Sequence, residues 1–326
     1  MIRLALVGCS NRAEACANIA SRLGEARFVE VADADSDRAN QCAEQLGASV
    51  ITDGLASLLK DHCDAFDAAI IQAASGTSLQ TFISAAEAGK HLLIEWPPDF
   101  TLHDTDAIIE ACRSHDVRLM TGQASRFVPA VQTVKSTLES GVLGSPGLLR
   151  IHRWQPPRSD DTQSGPRRSI QEVDLAVWLF ERLPTEVYAV ARSRAGAPPG
   201  NSTFLQLHLG FPDGGMALID NTTMQPGGEP YFSLSMIGST GAAYADEHHD
   251  MQLLYGTGRP KALKTGQGDE HVLAECREFV SSIQEQREPA ITGADGRLAL
   301  EVADAVAASI ENGRAVHRKG KRYELA

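Results

Sequence analysis

The sequence predicts an α/β protein, with a doubly wound parallel sheet followed by an α+β domain built on a large open, mainly antiparallel sheet. Three observations carry this. Short apolar runs alternate with segments of helical periodicity as far as Thr121. A glycine turn joins the first such pair, at Gly8. From Glu186 onward, strand-like runs follow one another with only turn clusters between them. The pattern changes after Gly122, so the chain divides into residues 1–122 and 123–326, with the last helices placed to pack back on the first part.

Ile2, Leu4, Leu6 and Val7 make the first strand, closed by Gly8, and Ala13, Ala17 and Ala20 with Cys16, Ile19 and Leu23 recur at helical spacing up to Gly24. Strand, glycine turn and helix bring backbone N–H groups and a helix N-terminus against a pyrophosphate. The glycine fingerprint of such turns reads here Gly8-Cys9-Ser10-Asn11-Arg12-Ala13. Ser10 stands where a second glycine would let the backbone approach phosphate, although its hydroxyl can donate to an oxygen and Arg12 adds charge. Gly8, Ser10, Asn11 and Arg12 are therefore the candidates for nucleotide contact. A turn that holds no nucleotide also satisfies this pattern. Cys9, beside the helix N-terminus, would be a low-pKa thiol if exposed, but a packing role is the expectation.

Arg27–Asp33 forms the second strand, and Asp33 lies about twenty residues beyond the fingerprint, where a carboxylate accepts hydrogen bonds from a ribose. A carboxylate there repels a 2′-phosphate, so NAD is favoured over NADP, a preference that Arg38 tempers. As a simple strand-end turn former, Asp33 would do neither. Further strands follow at Ala48–Thr52, Asp67–Gln72, His91–Glu95 and Val117–Thr121, with helices at Leu55–Asp61, Leu79–Ala88 and Asp104–His115 between them. The small-residue loop from Ala73 to Gly76 follows the fourth strand, where a nucleotide would pass.

After Gly122 a helix opens at Pro129, a strand covers Leu148–Trp154, a polar loop runs from Pro156 to Arg168, and a helix covers Ile170–Phe180. Strands Val187–Arg192, Phe204–Phe211, Met216–Asn221 and Tyr231–Gly238 precede two final helices, His271–Gln286 and Asp295–Asn312. Asp246-Glu247-His248-His249-Asp250 gathers metal-ligand residue types, but adjacent histidines on a strand point to opposite faces, so a solvated loop and no metal site is expected.

A chain of 326 residues, 43% hydrophobic and 22% charged, suffices for two domains with sizeable cores. Its net charge of −12 argues against a nucleic-acid partner, and no apolar run reaches the length of a membrane span. The chain enters its first strand without a signal peptide, and six scattered cysteines with no C-x-x-C pair suit a reducing compartment, so a cytoplasmic location is expected.

Several segments in order carry a resemblance: Ala32-Asp33-Ala34-Asp35, then Ala88-Gly89-Lys90-His91-Leu92-Leu93-Ile94-Glu95-Trp96-Pro97, then Arg126-Phe127-Val128-Pro129-Ala130 with Gly141-Val142-Leu143-Gly144, then Glu172-Val173-Asp174-Leu175, and Asp295 to Glu301. Through them nearly the whole chain resembles the glucose–fructose oxidoreductase / inositol dehydrogenase (Gfo/Idh/MocA) family of NAD(P)-dependent oxidoreductases. The resemblance implies a Rossmann-like first domain and a nicotinamide cofactor held by Gly8, Ser10, Asn11, Arg12, Asp33, Ala73 and Glu95. It also implies a reaction site at Glu95, Trp96, Gln171 and Asp174, and a small-molecule substrate contacted by Arg126, Arg153 and Glu172. A homodimer or homotetramer through the second-domain sheet follows from the same likeness.

The departures are chemical. The family carries Glu-Lys-Pro where this chain has Glu95-Trp96-Pro97, and indole is only a neutral N–H donor. The family histidine three residues before Asp174 is here Gln171, which cannot take a proton near neutral pH. The usual Thr-Pro after the fourth strand is here Ala73-Ala74, and Ser78 replaces a later histidine. Three readings stay open: hydride transfer with a non-standard site, in which Trp96 stacks on a flat substrate or the nicotinamide and Glu95, Glu172 or Asp174 handles protons; a dehydrogenase using His152, Arg153 or Arg126 to bind an acidic or sugar substrate; and a non-catalytic nucleotide- or sugar-binding sensor.

Overall fold

The computed structural model describes residues 1–9, 22, 24–51, 53–72, 76–96, 100–156, 166–193, 203–224, 230–246, 251–255, 261–264 and 270–325. By its contacts the chain forms two compact units, Met1–Ala124 with Asp269–Arg297, and Ser125–Gly268 with Leu298–Ala326.

The first unit is a six-stranded parallel sheet. Its strands are β1 (Ile2–Val7), β2 (Ala26–Ala32), β3 (Ser49–Ile51), β4 (Ala68–Ile71), β5 (His91–Glu95) and β6 (Leu119–Gly122), in the order β3-β2-β1-β4-β5-β6. Leu4 to Val7 and Ala68 to Ile71 are buried at every position, as strands covered by helices on both faces must be. The strand order reverses between β1 and β4, and the crevice beyond the carboxyl ends of these two strands is where such sheets bind ligands.

The helices of this unit are α1 (Ser36–Leu46), α2 (Leu55–Asp61), α3 (Leu79–Glu87) and α4 (Leu102–Ser114). Their ends follow capping rules. The Asp35 carboxylate accepts the N–H groups of Asp37 and Arg38 at the start of α1, Gly47 closes it in the left-handed region, and Thr101 with Asp104 forms a capping box on α4. Phe66, Phe82, Leu58, Ile94 and Ile108 fill the core between helices and sheet. The returning segment pairs with the sheet edge through the Met120–Thr292 bridge, and the Thr121 hydroxyl donates to the Thr292 carbonyl at 3.1 Å.

The second unit holds a ten-stranded sheet. It comprises α5 (Pro129–Glu139), β7 (Pro146–Trp154), α6 (Ile170–Phe180), β8 (Glu186–Arg192), β9 (Phe204–Gly210), β10 (Met216–Thr222), β11 (Tyr231–Gly238), β12 (Ala242–Asp246), β13 (Met251–Tyr255), β14 (Lys261–Lys264), β15 (Val316–Lys319) and β16 (Arg322–Leu325). The order is β14-β13-β12-β11-β7-β10-β9-β8-β15-β16, antiparallel throughout except for the parallel pair β7 and β10. Along β9 and β10 exposed and buried residues alternate, so one face carries Leu205, Leu207, Leu209, Ala217 and Ile219 into a core with Val173, Leu175 and Leu179 of α6. The chain also contains α7 (Glu270–Gln284) and α8 (Gly293–Asn312), and the division between the units falls within α8.

One local expectation is corrected here. Asp246 does not sit in a solvated loop but ends strand β12, and a further strand, β13, begins at Met251. Ala243 and Ala245 are nearly fully buried against the core, so tertiary pairing with β11 overrides the weak strand preference of alanine. Glu247 to Asp250 lie outside the described residues, as does the expected helix Ala13–Leu23 apart from Arg22.

At Gly238 a side chain has no room: a Cβ there would stand 2.1 Å from the Leu143 carbonyl oxygen. Gly238→Ala is expected to destabilise the second unit by about 1–3 kcal/mol, because backbone must move to admit the methyl group. Urea unfolding with an unchanged midpoint would contradict this.

Candidate functional site

In the first unit the site is the end of β1 and β2. Gly8 continues β1 with its N–H donated to the Ala32 carbonyl at 2.8 Å, and turns at φ 88°, a left-handed conformation that favours glycine. Asp33, buried at the end of β2, is the hub of this turn. It accepts the Cys9 N–H at 2.6 Å on one oxygen, and the Asp35 N–H at 2.8 Å and the Arg38 guanidinium at 2.9 Å on the other. Burial works against its charge, but these three donors outweigh burial and hold the Asp33 carboxyl below the usual carboxylate range. The donors leave lone-pair directions on the two oxygens, so Asp33 retains capacity to accept hydroxyl groups. The Arg38 side chain is more than half exposed and stands on the same carboxylate.

A glycine with positive φ and a buried, ionised acid at the end of the second strand fit the ribose and pyrophosphate of a dinucleotide. Ser10, Asn11, Arg12 and Ala73 lie outside the described residues. Glu95 ends β5 half-buried, beside Gly122 of β6, where a Cβ would meet the Glu95 Cα at 3.0 Å. Trp96 follows and is buried.

In the second unit the predicted polar residues assemble into two ion pairs. Arg126 and Asp174, 48 residues apart in sequence, make a bidentate pair with Nε–Oδ2 at 2.7 Å and Nη2–Oδ1 at 2.6 Å, both side chains almost fully buried. The guanidinium also lies over the Trp178 ring, 5.3 Å from its centre, so Trp178 serves as packing for this pair. Arg153 of β7 donates through Nε to Glu172 and through Nη2 to the Ser125 hydroxyl at 3.2 Å, while stacking on Phe232 at 4.5 Å. Glu172 has no exposure at all, and its second oxygen accepts from Asn221 at 3.3 Å.

Of the residues expected to touch substrate, then, Arg126 is engaged inside the unit, whereas Arg153 keeps a fifth of its side chain exposed. Gln171, on the same helix as Glu172 and Asp174, is half-buried. Asn221 and Ser125 complete the cluster without any signal in their local sequence, since both are brought in by register and by the turn before α5. On the other face of the sheet, Asp220 holds His152 at 3.0 Å and accepts Gln206 at 2.8 Å, next to the exposed Trp154. Among the described residues no group of three or more His, Cys, Asp or Glu is placed to hold a metal ion, and no helix is long and apolar enough to cross a membrane.

Comparison with known proteins agrees with the fold. Residues 2–123 match a family model described as an oxidoreductase family with an NAD-binding Rossmann fold, and residues 131–244 match the GFO/IDH/MocA C-terminal domain. The chain is 28% identical over 316 residues to an uncharacterized oxidoreductase of Bacillus subtilis, YrbE, covering 91% of this chain and 90% of that one. It is 25% identical to a myo-inositol 2-dehydrogenase of Thermotoga maritima, covering 97% and 98% of the two chains. The fold matches the solved structure of a levoglucosan dehydrogenase in complex with NADH and levoglucosan with a TM-score of 0.86 at 20% identity, over 98% of this chain and 99% of that one.

Proposed function

Because this chain belongs to the Gfo/Idh/MocA oxidoreductase family, we propose that it is an NAD-dependent dehydrogenase of a small hydroxylated ring compound, working with a non-standard active site. The observation that carries this is Asp33, which joins the turn after β1, the start of α1 and Arg38 on one ionised carboxylate. In that role it accepts the ribose hydroxyls and disfavours a 2′-phosphate, so NAD binds in preference to NADP. The nicotinamide supplies the hydride acceptor or donor; everything else falls to side chains of this chain.

In this reading Trp96 and Gln171 stand at the positions of the family lysine and histidine, and Glu95, half-buried at the end of β5, is the adjoining carboxylate. Glu95 is assigned the proton transfer, with Trp96 packing against the reacting ring and Gln171 hydrogen-bonding a substrate hydroxyl. Asp174 acts as a positioning residue, fixing Arg126 and the helix that carries Gln171. Arg153, held by Glu172, presents its remaining N–H groups to the substrate. The relatives named inositol and levoglucosan dehydrogenases support a polyhydroxylated ring as the substrate class.

The exposed face of the ten-stranded sheet, with Phe204 at 47% and Met216 at 44% exposure beside Trp154 and Tyr188, supports a homodimer or homotetramer in which these faces pair. The assembled enzyme is assigned to the cytoplasm. Light scattering is expected to give a multiple of the 35.0 kDa chain, and Phe204→Asp with Met216→Asp is expected to shift it to the monomer. A monomeric wild type would refute the assembly.

The direct test of function is fluorescence titration of the purified protein with NADH and NADPH, followed by turnover screens with inositols and sugars. Saturable binding with NADH the tighter is the expected result. No binding of either nucleotide in the millimolar range overturns the assignment and leaves a non-catalytic sensor as the reading.

A further inference from the structure

Along β7 the odd-numbered positions face the core, and Leu149 and Ile151 are fully buried there. Arg153 is the next residue in that row, so a guanidinium stands where the pattern calls for an apolar side chain. It is held on three sides. Nε donates to Glu172, Nη2 donates to the Ser125 hydroxyl at 3.2 Å, and the plane stacks on Phe232 at 4.5 Å. Glu172 is fixed in turn by the Asn221 amide at 3.3 Å, and Asn221 lies directly across from Arg153 in the register of β7 and β10. Four residues from separate parts of the second unit thus fix one guanidinium. Among the described residues nothing accepts from its Nη1, and a fifth of the side chain stays exposed. A second guanidinium, Arg167, precedes Gln171 by four residues, about one helical turn, and keeps 31% exposure while meeting Asp304 of α8 at 3.7 Å. No side-chain cap closes the head of α6, so its N–H groups add partial positive charge there.

We propose that the substrate is a hydroxylated carboxylic acid of the sugar-acid type, and that the open end of Arg153 anchors its carboxylate. This rests on the dehydrogenase reading of the same site and narrows its substrate class. Nη1 and Nη2 at the end of a guanidinium are two parallel donors spaced like the two oxygens of a carboxylate, whereas a neutral hydroxyl answers only one of them. A guanidinium that Glu172, Ser125 and Phe232 already hold loses little further freedom on binding, so more of the interaction survives as affinity. The net charge of −12 repels an acid from the molecule as a whole, so the attraction has to be local. Arg167 and the head of α6 supply it, one on each side of Gln171 in the chain. The carboxylate takes no part in hydride transfer and serves only to fix the molecule.

The test uses the full-length protein with saturating NAD. Uronates and aldonates are each compared with the uncharged aldose of the same carbon skeleton, by thermal shift and by NADH formation, with a sugar phosphate in the same panel. At least one acid is expected to stabilise the complex with NAD and to be turned over with kcat/KM at least about tenfold above its aldose. Arg153→Lys keeps a positive partner for Glu172 but replaces the fork with a single ammonium. It is expected to erase most of that preference, by raising KM for the acid at least about tenfold. Arg167→Gln is expected to raise the same KM by a smaller factor. If Arg153→Lys does not fold, the comparison of acid with aldose on the wild type decides alone. A KM rise shared equally by acid and aldose marks Arg153 as merely structural and overturns the proposal. So does an aldose or the sugar phosphate favoured over every acid, or no response to any acid from a protein that binds NADH. Failure to bind NADH at all overturns the dehydrogenase reading, and the substrate class falls with it.

Discussion

Asp174→Ala is expected to lower the unfolding free energy of the second unit by about 3–5 kcal/mol, seen as a large drop in urea midpoint. The variant leaves the Arg126 guanidinium almost fully buried between Trp178 and the vacated carboxylate position, with its bidentate partner gone. Restoring charge balance by removing both partners tests the mechanism. Arg126→Met with Asp174→Leu fills the volume with apolar groups and removes both desolvated charges, so it is expected to recover most of the lost stability. Activity separates the two roles that Asp174 could hold. A positioning residue whose loss acts through the fold gives a double variant that is stable and keeps part of its kcat, with the pH profile unmoved. A proton-transfer residue gives a stable double variant with no activity. If Asp174→Ala unfolds at the same urea concentration as the wild type, the pair is not the anchor described here.

The second large effect is expected at Asp33. Asp33→Asn keeps the shape but offers only one acceptor oxygen, so either the Cys9 N–H or the Asp35 N–H faces an amide N–H₂ instead of a carboxylate. Loss of charge-assisted hydrogen bonds to the turn and to the ribose costs about 1.5–3 kcal/mol, or roughly tenfold to over a hundredfold in NADH affinity. Releasing Arg38 from this carboxylate also removes the repulsion toward a 2′-phosphate, so the NADH-to-NADPH preference is expected to shrink. Unchanged affinities for both nucleotides would remove Asp33 from the binding site.

The pH dependence follows from the same residue. Its folded-state pKa is below the usual value, so the unfolded chain takes up the proton first as pH falls. The stability that Asp33 contributes is full above the ordinary aspartate range and is lost as pH drops through that range toward the lower folded value. Asp67, held below its usual range chiefly by Arg3, which clasps it at 2.5 Å, adds loss in the same direction. Acid titration of unfolding is therefore expected to show the first unit weakening below about pH 4, and Asp33→Asn to flatten that decline.

What the sequence by itself determined was anything written in local pattern. The apolar runs of β1, β4 and β5, the helical stripes and the caps at Asp35, Gly47 and Thr101 depend on residues within a turn or two of one another. Strands β5 and β11 and helices α2 and α6 have the bounds that periodicity gives, and Asp33 was readable because its spacing from the glycine turn is fixed by one βαβ unit. Tertiary structure alone decided which charged groups meet. Periodicity tells which face a side chain takes and says nothing of who stands opposite, so the pairing of Arg126 with Asp174 and of Arg153 with Glu172 and Asn221 had no trace in any local window. The same reason accounts for β12. Its alanines carry little strand preference of their own, and become a strand because β11 offers an open edge of N–H and C=O groups for them to satisfy.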